Sequence, residues 1–94
     1  MTKKDLAKSL KVIGEENRLL ILCLLMKDKH LCVTAIASSL KLSVATTSFH
    51  LKTLERAGIT KSVREGKEIF YALKDISFTQ DIKKLICKNI NIKL

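Results

Sequence analysis

Three thiols and a band of cations are the reactive groups of this 94-residue chain. Cys23, Cys32 and Cys87 can ligate a soft metal or be oxidised once ionised, and His30 and His50 are the imidazoles that could join them. Between Leu40 and Lys67 stand Lys41, Lys52, Arg56, Lys61, Arg64 and Lys67 against the carboxylates Glu55 and Glu65, a balance suited to a polyanion. Catalytic groupings are missing: there is no glycine-rich phosphate loop, no carboxylate pair on a common face and no Ser-His-Asp arrangement. The chain is expected to bind and not to act as an enzyme.

The elements that must position these groups centre on Leu40 to Ala57. Ser43 is a good N-cap, Thr47, Leu51 and Leu54 recur at helical spacing, Lys52 and Arg56 lie among the polar positions, and Gly58 supplies a stop. Upstream, Val33 to Leu40 is a second short helical pattern, joined to the first by Lys41-Leu42-Ser43. Two short helices joined so tightly form a helix-turn-helix, whose second helix can enter a DNA major groove.

Support for that pair comes from both sides. Thr2 or Asp5 can open a first helix with Leu6, Leu10 and Ile13 on one stripe, ending near Gly14. Glu15 to Lys27 forms a second helix, apolar on nearly all sides at its centre and therefore expected to be fully buried, and Asp28-Lys29-His30 leads out of it. After Gly58 the residues favour strands: Ile59 to Arg64, a turn at Glu65-Gly66, then Lys67 to Leu73, a hairpin wing with Arg64 and Lys67 at its tip. A last helix from Ile76 to about Ile90 carries Phe78, Ile82, Leu85, Ile86 and Ile90 largely on one side. The fold class is mainly α with a small β-hairpin wing, in the order α-α-α-α-β-β-α. Residues 1–94 form a single winged-helix domain for DNA binding and dimerisation. The apolar stripes of the first and last helices are more than a monomer of this size can cover, so a homodimer through those helices is expected.

Composition agrees. The net charge is +9 and aromatic residues are scarce, so the partner should be a polyanion and the core aliphatic. Absent proline and only three glycines disfavour multi-turn β architectures. The N-terminus has no signal-peptide core, and the longest apolar run, Leu19 to Met26, is far short of the roughly 20 residues a membrane span needs. A soluble, cytoplasmic protein without a membrane partner is expected. An odd number of cysteines without paired spacing speaks for thiols over a disulfide scaffold.

Taken together, Arg18 to Leu22, Leu31-Cys32-Val33, the series Leu42 to Leu54, Ala57-Gly58-Ile59 and Arg64-Glu65-Gly66-Lys67 to Phe70-Tyr71-Ala72-Leu73 resemble the ArsR-type (ArsR/SmtB) winged-helix repressors. The resemblance covers roughly Leu10 to Cys87. It implies a homodimer built from the terminal helices, recognition of an inverted-repeat operator in double-stranded DNA, and repression relieved by an inducer. By family position Val44, Ala45, Ser48 and Phe49 face bases, while Lys41, Ser43, Thr46, Lys52, Arg64 and Lys67 contact or approach the backbone. Val44 and Phe49 stand where relatives usually carry Gln and His or Gln, and offer apolar contact to thymine methyls instead of hydrogen bonds. His50, beside the core face, is a packed or capping histidine.

The resemblance also bears on the inducer. Metal-sensing relatives hold a soft ion through Cys-Val-Cys, but here Cys32 and Val33 are followed by Thr34. Others use Asp and His on the last helix, whereas Asp75 is followed by Ser77 and that helix has no histidine. No metal or other cofactor is therefore expected; a makeshift site from His30 and Cys32 is the metal alternative. A third branch senses oxidants or reactive sulfur through two cysteines. Cys23 occupies the first place by motif, and Cys87 resembles the second, about one helical turn early. Cys32 is then a bystander. A winged-helix module for protein or RNA contacts is the alternative from another class.

Overall fold

In the structure, a computed structural model that describes residues 1–90, capping chemistry sets where the helices begin. The Thr2 hydroxyl accepts the Asp5 N–H at 3.1 Å and the Asp5 carboxylate accepts the Thr2 N–H at 3.3 Å, so both candidate openers act together at the start of α1 (Lys3–Ile13). Glu15 caps α2 (Glu16–Lys27) by accepting the Arg18 N–H at 2.9 Å. A two-residue strand, β1 (Leu31–Cys32), leads into α3 (Val33–Leu40). The recognition-type helix α4 (Val44–Arg56) follows, then β2 (Thr60–Glu65), β3 (Glu68–Leu73) and α5 (Ser77–Asn89). The single-domain reading over 1–94 includes residues 91–94, which lie outside the described residues.

The wing has one strand more than the sequence suggested. β3 is central, with β2 on one side and β1 on the other, both antiparallel. Leu31 faces Tyr71 and Cys32 faces Phe70, so the start of α3 is tied to the wing by main-chain bonds. The turn also lies one residue later than expected: Glu65 pairs with Glu68, leaving Gly66 and Lys67 as its central residues. Gly66 has φ +64°, the left-handed value a first central residue needs in such a hairpin.

The core is aliphatic, built from Ile21, Leu22, Leu25, Ile36, Leu51, Leu54, Ile59 and Ile86 around the buried Tyr71. Two stripes divide differently from the sequence reading. Ile13 turns into this core while Leu6 and Leu10 stay exposed, and Ile82 is 8% exposed where Leu85, three residues on, is 55% exposed. A helix that packs on its own protomer while keeping a second apolar face needs both, and α5 with its C-cap residue divides them between Ile82 with Ile86 and Leu85 with Ile90. Ile82 thus belongs to the protomer and not to a dimer seam. Full burial of α2 also fails, since Leu20 is exposed and Leu19, Leu24 and Met26 are half-buried.

Candidate nucleic-acid interface

The outward face of α4 is defined by what its inward face must do. Thr47, Leu51 and Leu54 are fully buried and His50 nearly so. At 3.6 residues per turn this turns Val44, Ala45, Thr46, Phe49 and Lys52 to solvent, with Ser48 half-buried between the two faces. Val44 is 50% and Phe49 59% exposed, so neither folds back into the domain. The Thr47 hydroxyl, which has no water to meet, donates to the Ser43 carbonyl at 2.9 Å.

Ser43 spends its hydroxyl on the cap. It accepts the Thr46 N–H at 3.0 Å and donates to Thr46 Oγ1 at 2.9 Å. Its proton is then committed, and it is the Thr46 hydroxyl that keeps a proton to offer an anion beyond the helix end. Lys41 ends α3 in the left-handed region at φ +58°, with its N–H bonded to Ala37 and Ser38 carbonyls. No glycine relieves that position, and Lys41, which is exposed, stands three residues before the start of α4.

Beneath α4 a polar cluster fixes its roll. Arg18 Nε donates to the Val12 carbonyl at 2.6 Å and Arg18 Nη1 stands 3.1 Å from His50 Nδ1. A guanidinium has no lone pair to give, so Nδ1 is the acceptor and the imidazole proton resides on Nε2. Glu15 Oε2 lies 3.9 Å from the same nitrogen. Burial acts to raise the Glu15 carboxyl, but the Arg18 and Asn17 N–H groups hold it below its ordinary value. Sequence reasoning placed His50 as a packed residue without finding its partners. Arg18 and Glu15 lie 32 and 35 residues away, and no local spacing connects them.

Arg64 and Lys67 are exposed at the wing tip. Their neighbour Glu65 lies 3.7 Å from His30 Nε2, whose ring stacks on Phe70 with centroids 4.5 Å apart. Cys32 Sγ lies 3.3 Å from Thr34 Oγ1. The two members of the makeshift metal site are therefore engaged with different neighbours, and among the described residues no three His, Cys, Asp or Glu side chains converge. Cys23 is buried and Cys87 exposed. Burial pushes the Cys23 thiol up, and the charge of a Cys87 thiolate adds to that. Among the described residues no helix is long and apolar enough to cross a membrane.

Residues 15–62 match the family described as bacterial regulatory protein, arsR family. The chain is 42% identical over 66 residues to the cadmium resistance transcriptional regulatory protein CadC of Listeria innocua, a match covering 70% of this chain and 56% of that protein. It therefore spans little more than half the length of the first such relatives. With the transcriptional repressor PagR of Bacillus anthracis it is 38% identical over 85 residues, covering 90% of this chain and 85% of that one. Among solved structures, HlyU from Vibrio cholerae N16961 shares the fold with a TM-score of 0.85 at 31% identity, over 97% of this chain and 100% of that one. These relatives are regulators of transcription and not enzymes, in keeping with the missing catalytic groups. With half its length matched directly and its winged helix-turn-helix shared from end to end, this chain belongs to the arsR family of bacterial regulatory proteins.

Proposed function

We propose that the chain is a homodimeric, sequence-specific repressor that binds an inverted-repeat operator in double-stranded DNA, and that it acts in the cytoplasm. The observation that carries this is the outward face of α4, where small and apolar side chains are flanked by Lys41 and Lys52 and backed by the wing cations. Val44, Ala45, Ser48 and Phe49 read base edges, Val44 and Phe49 through thymine methyls. Lys41, Thr46, Lys52, Arg64 and Lys67 hold phosphates, and Ser43 acts by capping α4. An acidic or apolar reading face would favour a protein partner; the cations Lys41, Lys52 and Arg56 and those of the wing, set around the apolar side chains, speak for DNA instead. Two copies joined through Leu6, Leu10, Leu85 and Ile90 would set two such faces about one helical turn apart.

The test is selection of duplexes from a genomic fragment library. Val44→Ala or Ser48→Ala should narrow the gap between preferred and random sites by about 5- to 100-fold, as for loss of one base contact. Lys52→Ala should weaken both kinds of site and lower the salt slope by about one per protomer. Fragments retained without any sequence preference would sink the reading.

Lys41 offers a separate check, because its strain and its charge have opposite consequences. Lys41→Gly should stabilise the fold by about 0.5–1 kcal/mol, a rise of a few degrees in Tm, while weakening DNA binding several-fold. If affinity survives unchanged, Lys41 is a helix terminator and not a phosphate ligand.

For the inducer, an accessible thiol on α5, Cys87, together with the buried thiol Cys23 on α2 favours release by thiol oxidation or persulfidation. The cadmium named for CadC relatives is the competing ligand, but the described residues of this chain assemble no donor set for it. Cys32 takes no part in the thiol reading.

A further inference from the structure

Wing and recognition helix must hold one mutual angle if both are to meet the same duplex, yet their main-chain connection ends at the root of the hairpin. There the Gly58 N–H bonds the Glu55 carbonyl and the Ile59 N–H bonds the Leu54 carbonyl. Farther along β2, the Ser62 hydroxyl donates to Glu55 Oε2 at 2.6 Å, from the wing to the last turn of α4. Ser62 faces Tyr71 across the β2–β3 ladder, so their side chains share the face turned toward α4, and Tyr71 is buried there. Burial pushes the Tyr71 phenol up, and the Glu55 charge beside it works in the same direction. Glu55 is a costly residue to keep on a DNA-binding element, since a carboxylate repels phosphate.

We infer that Glu55, with Ser62 and Tyr71, is a positioning residue that locks the wing to the recognition helix, so that Arg64 and Lys67 reach phosphates in register with the base contacts of α4. Ser62 precedes the tip residue Glu65 by three residues, about 10 Å of strand. A tilt of roughly 15° at Ser62 would move the tip by about 2.5 Å, more than a hydrogen bond tolerates. Two competing effects of Glu55 are thus separable: its charge repels DNA, while its hydrogen bond aims two cations at it.

The inference rests on the DNA-binding reading above, and a cycle of variants separates the two. Affinity and its salt dependence are measured on the duplex selected by the unaltered protein, for Glu55→Ala, Glu55→Gln and Ser62→Ala, each alone and combined with Arg64→Ala/Lys67→Ala. Glu55→Ala should lose about 3- to 10-fold in affinity and part of the slope of about 3 to 4 that four wing cations supply in a dimer. Glu55→Gln keeps an acceptor for Ser62 and should bind as well as the unaltered protein, or better for want of the charge. In the background without wing cations Glu55→Ala should have no further cost. An equal loss in that background, a Glu55→Ala that binds more tightly, or a Gln variant as impaired as Ala would overturn the tie. A protein that selects no preferred duplex would remove the DNA-binding reading itself.

Discussion

Leu10→Glu or Leu85→Glu is expected to leave the protein monomeric at micromolar concentration and to cut operator affinity by about 100-fold or more. Both side chains are roughly half exposed in the protomer, so the substitution costs the isolated fold little. In a dimer seam the same carboxylate is desolvated without a partner, at several kcal/mol. Losing the dimer halves the phosphate contacts of a complex, and the slope of log affinity against log salt should halve with it. Ile82→Glu is the contrasting variant. At 8% exposure Ile82 packs inside the protomer, so that change should lower Tm steeply and disrupt helical content, which the two leucine variants retain. Sedimentation, circular dichroism and salt titration on the three variants separate these outcomes. A dimeric Leu85→Glu protein with undiminished affinity would take α5 out of the seam.

The sequence was most legible where a local rule had a single solution. Ser43 three residues before Thr46, Gly58 after the Leu51–Leu54 stripe, and Gly66 at the hairpin tip each mark a backbone feature that few residues satisfy. Winged helix architecture followed from those marks and the resemblance. What escaped was set by distant partners. β1 is two residues long, too short for any alternation, and exists because the free edge of β3 accepts it. Lys41 takes a left-handed conformation with no glycine to announce it, held there by the carbonyls it caps. Periodicity marks a residue of α5 as apolar but cannot say which of two apolar faces meets its own protomer, so Ile82 and Leu85 looked equivalent. The tie from Glu55 to Ser62 joins residues whose separate patterns, helix end and strand, carry no hint of contact.

Peroxide or polysulfide is expected to lower operator affinity of the unaltered protein by about 10- to 100-fold and to leave Cys87→Ser unresponsive. The order of events follows from exposure. Cys87 is accessible while Cys23 is buried with its thiol pushed up, so the first attack belongs to Cys87. Its thiolate takes one peroxide oxygen to give a sulfenic acid, and the other oxygen leaves as water after protonation. The Cys23 sulfur then attacks Cys87, expelling a second water and closing a disulfide, so that two thiols are oxidised as one peroxide is reduced. A direct bond requires Cα atoms within about 7 Å; a bridge of extra sulfurs tolerates a wider gap. Ile82 and Ile86 already pack α5 against the core that α2 shares, so drawing in the next residue displaces Leu85 and Ile90 from the proposed seam. The two recognition helices then lose their common spacing, and a shift of a few ångströms costs one major groove. Cys23→Ala, which avoids burying a hydroxyl, should stop at the sulfenic acid and keep its affinity. Mass spectrometry should find Cys32 unlinked throughout. Equal loss of affinity in the unaltered protein and both variants would reduce Cys23 and Cys87 to packing residues and send the search for the inducer elsewhere.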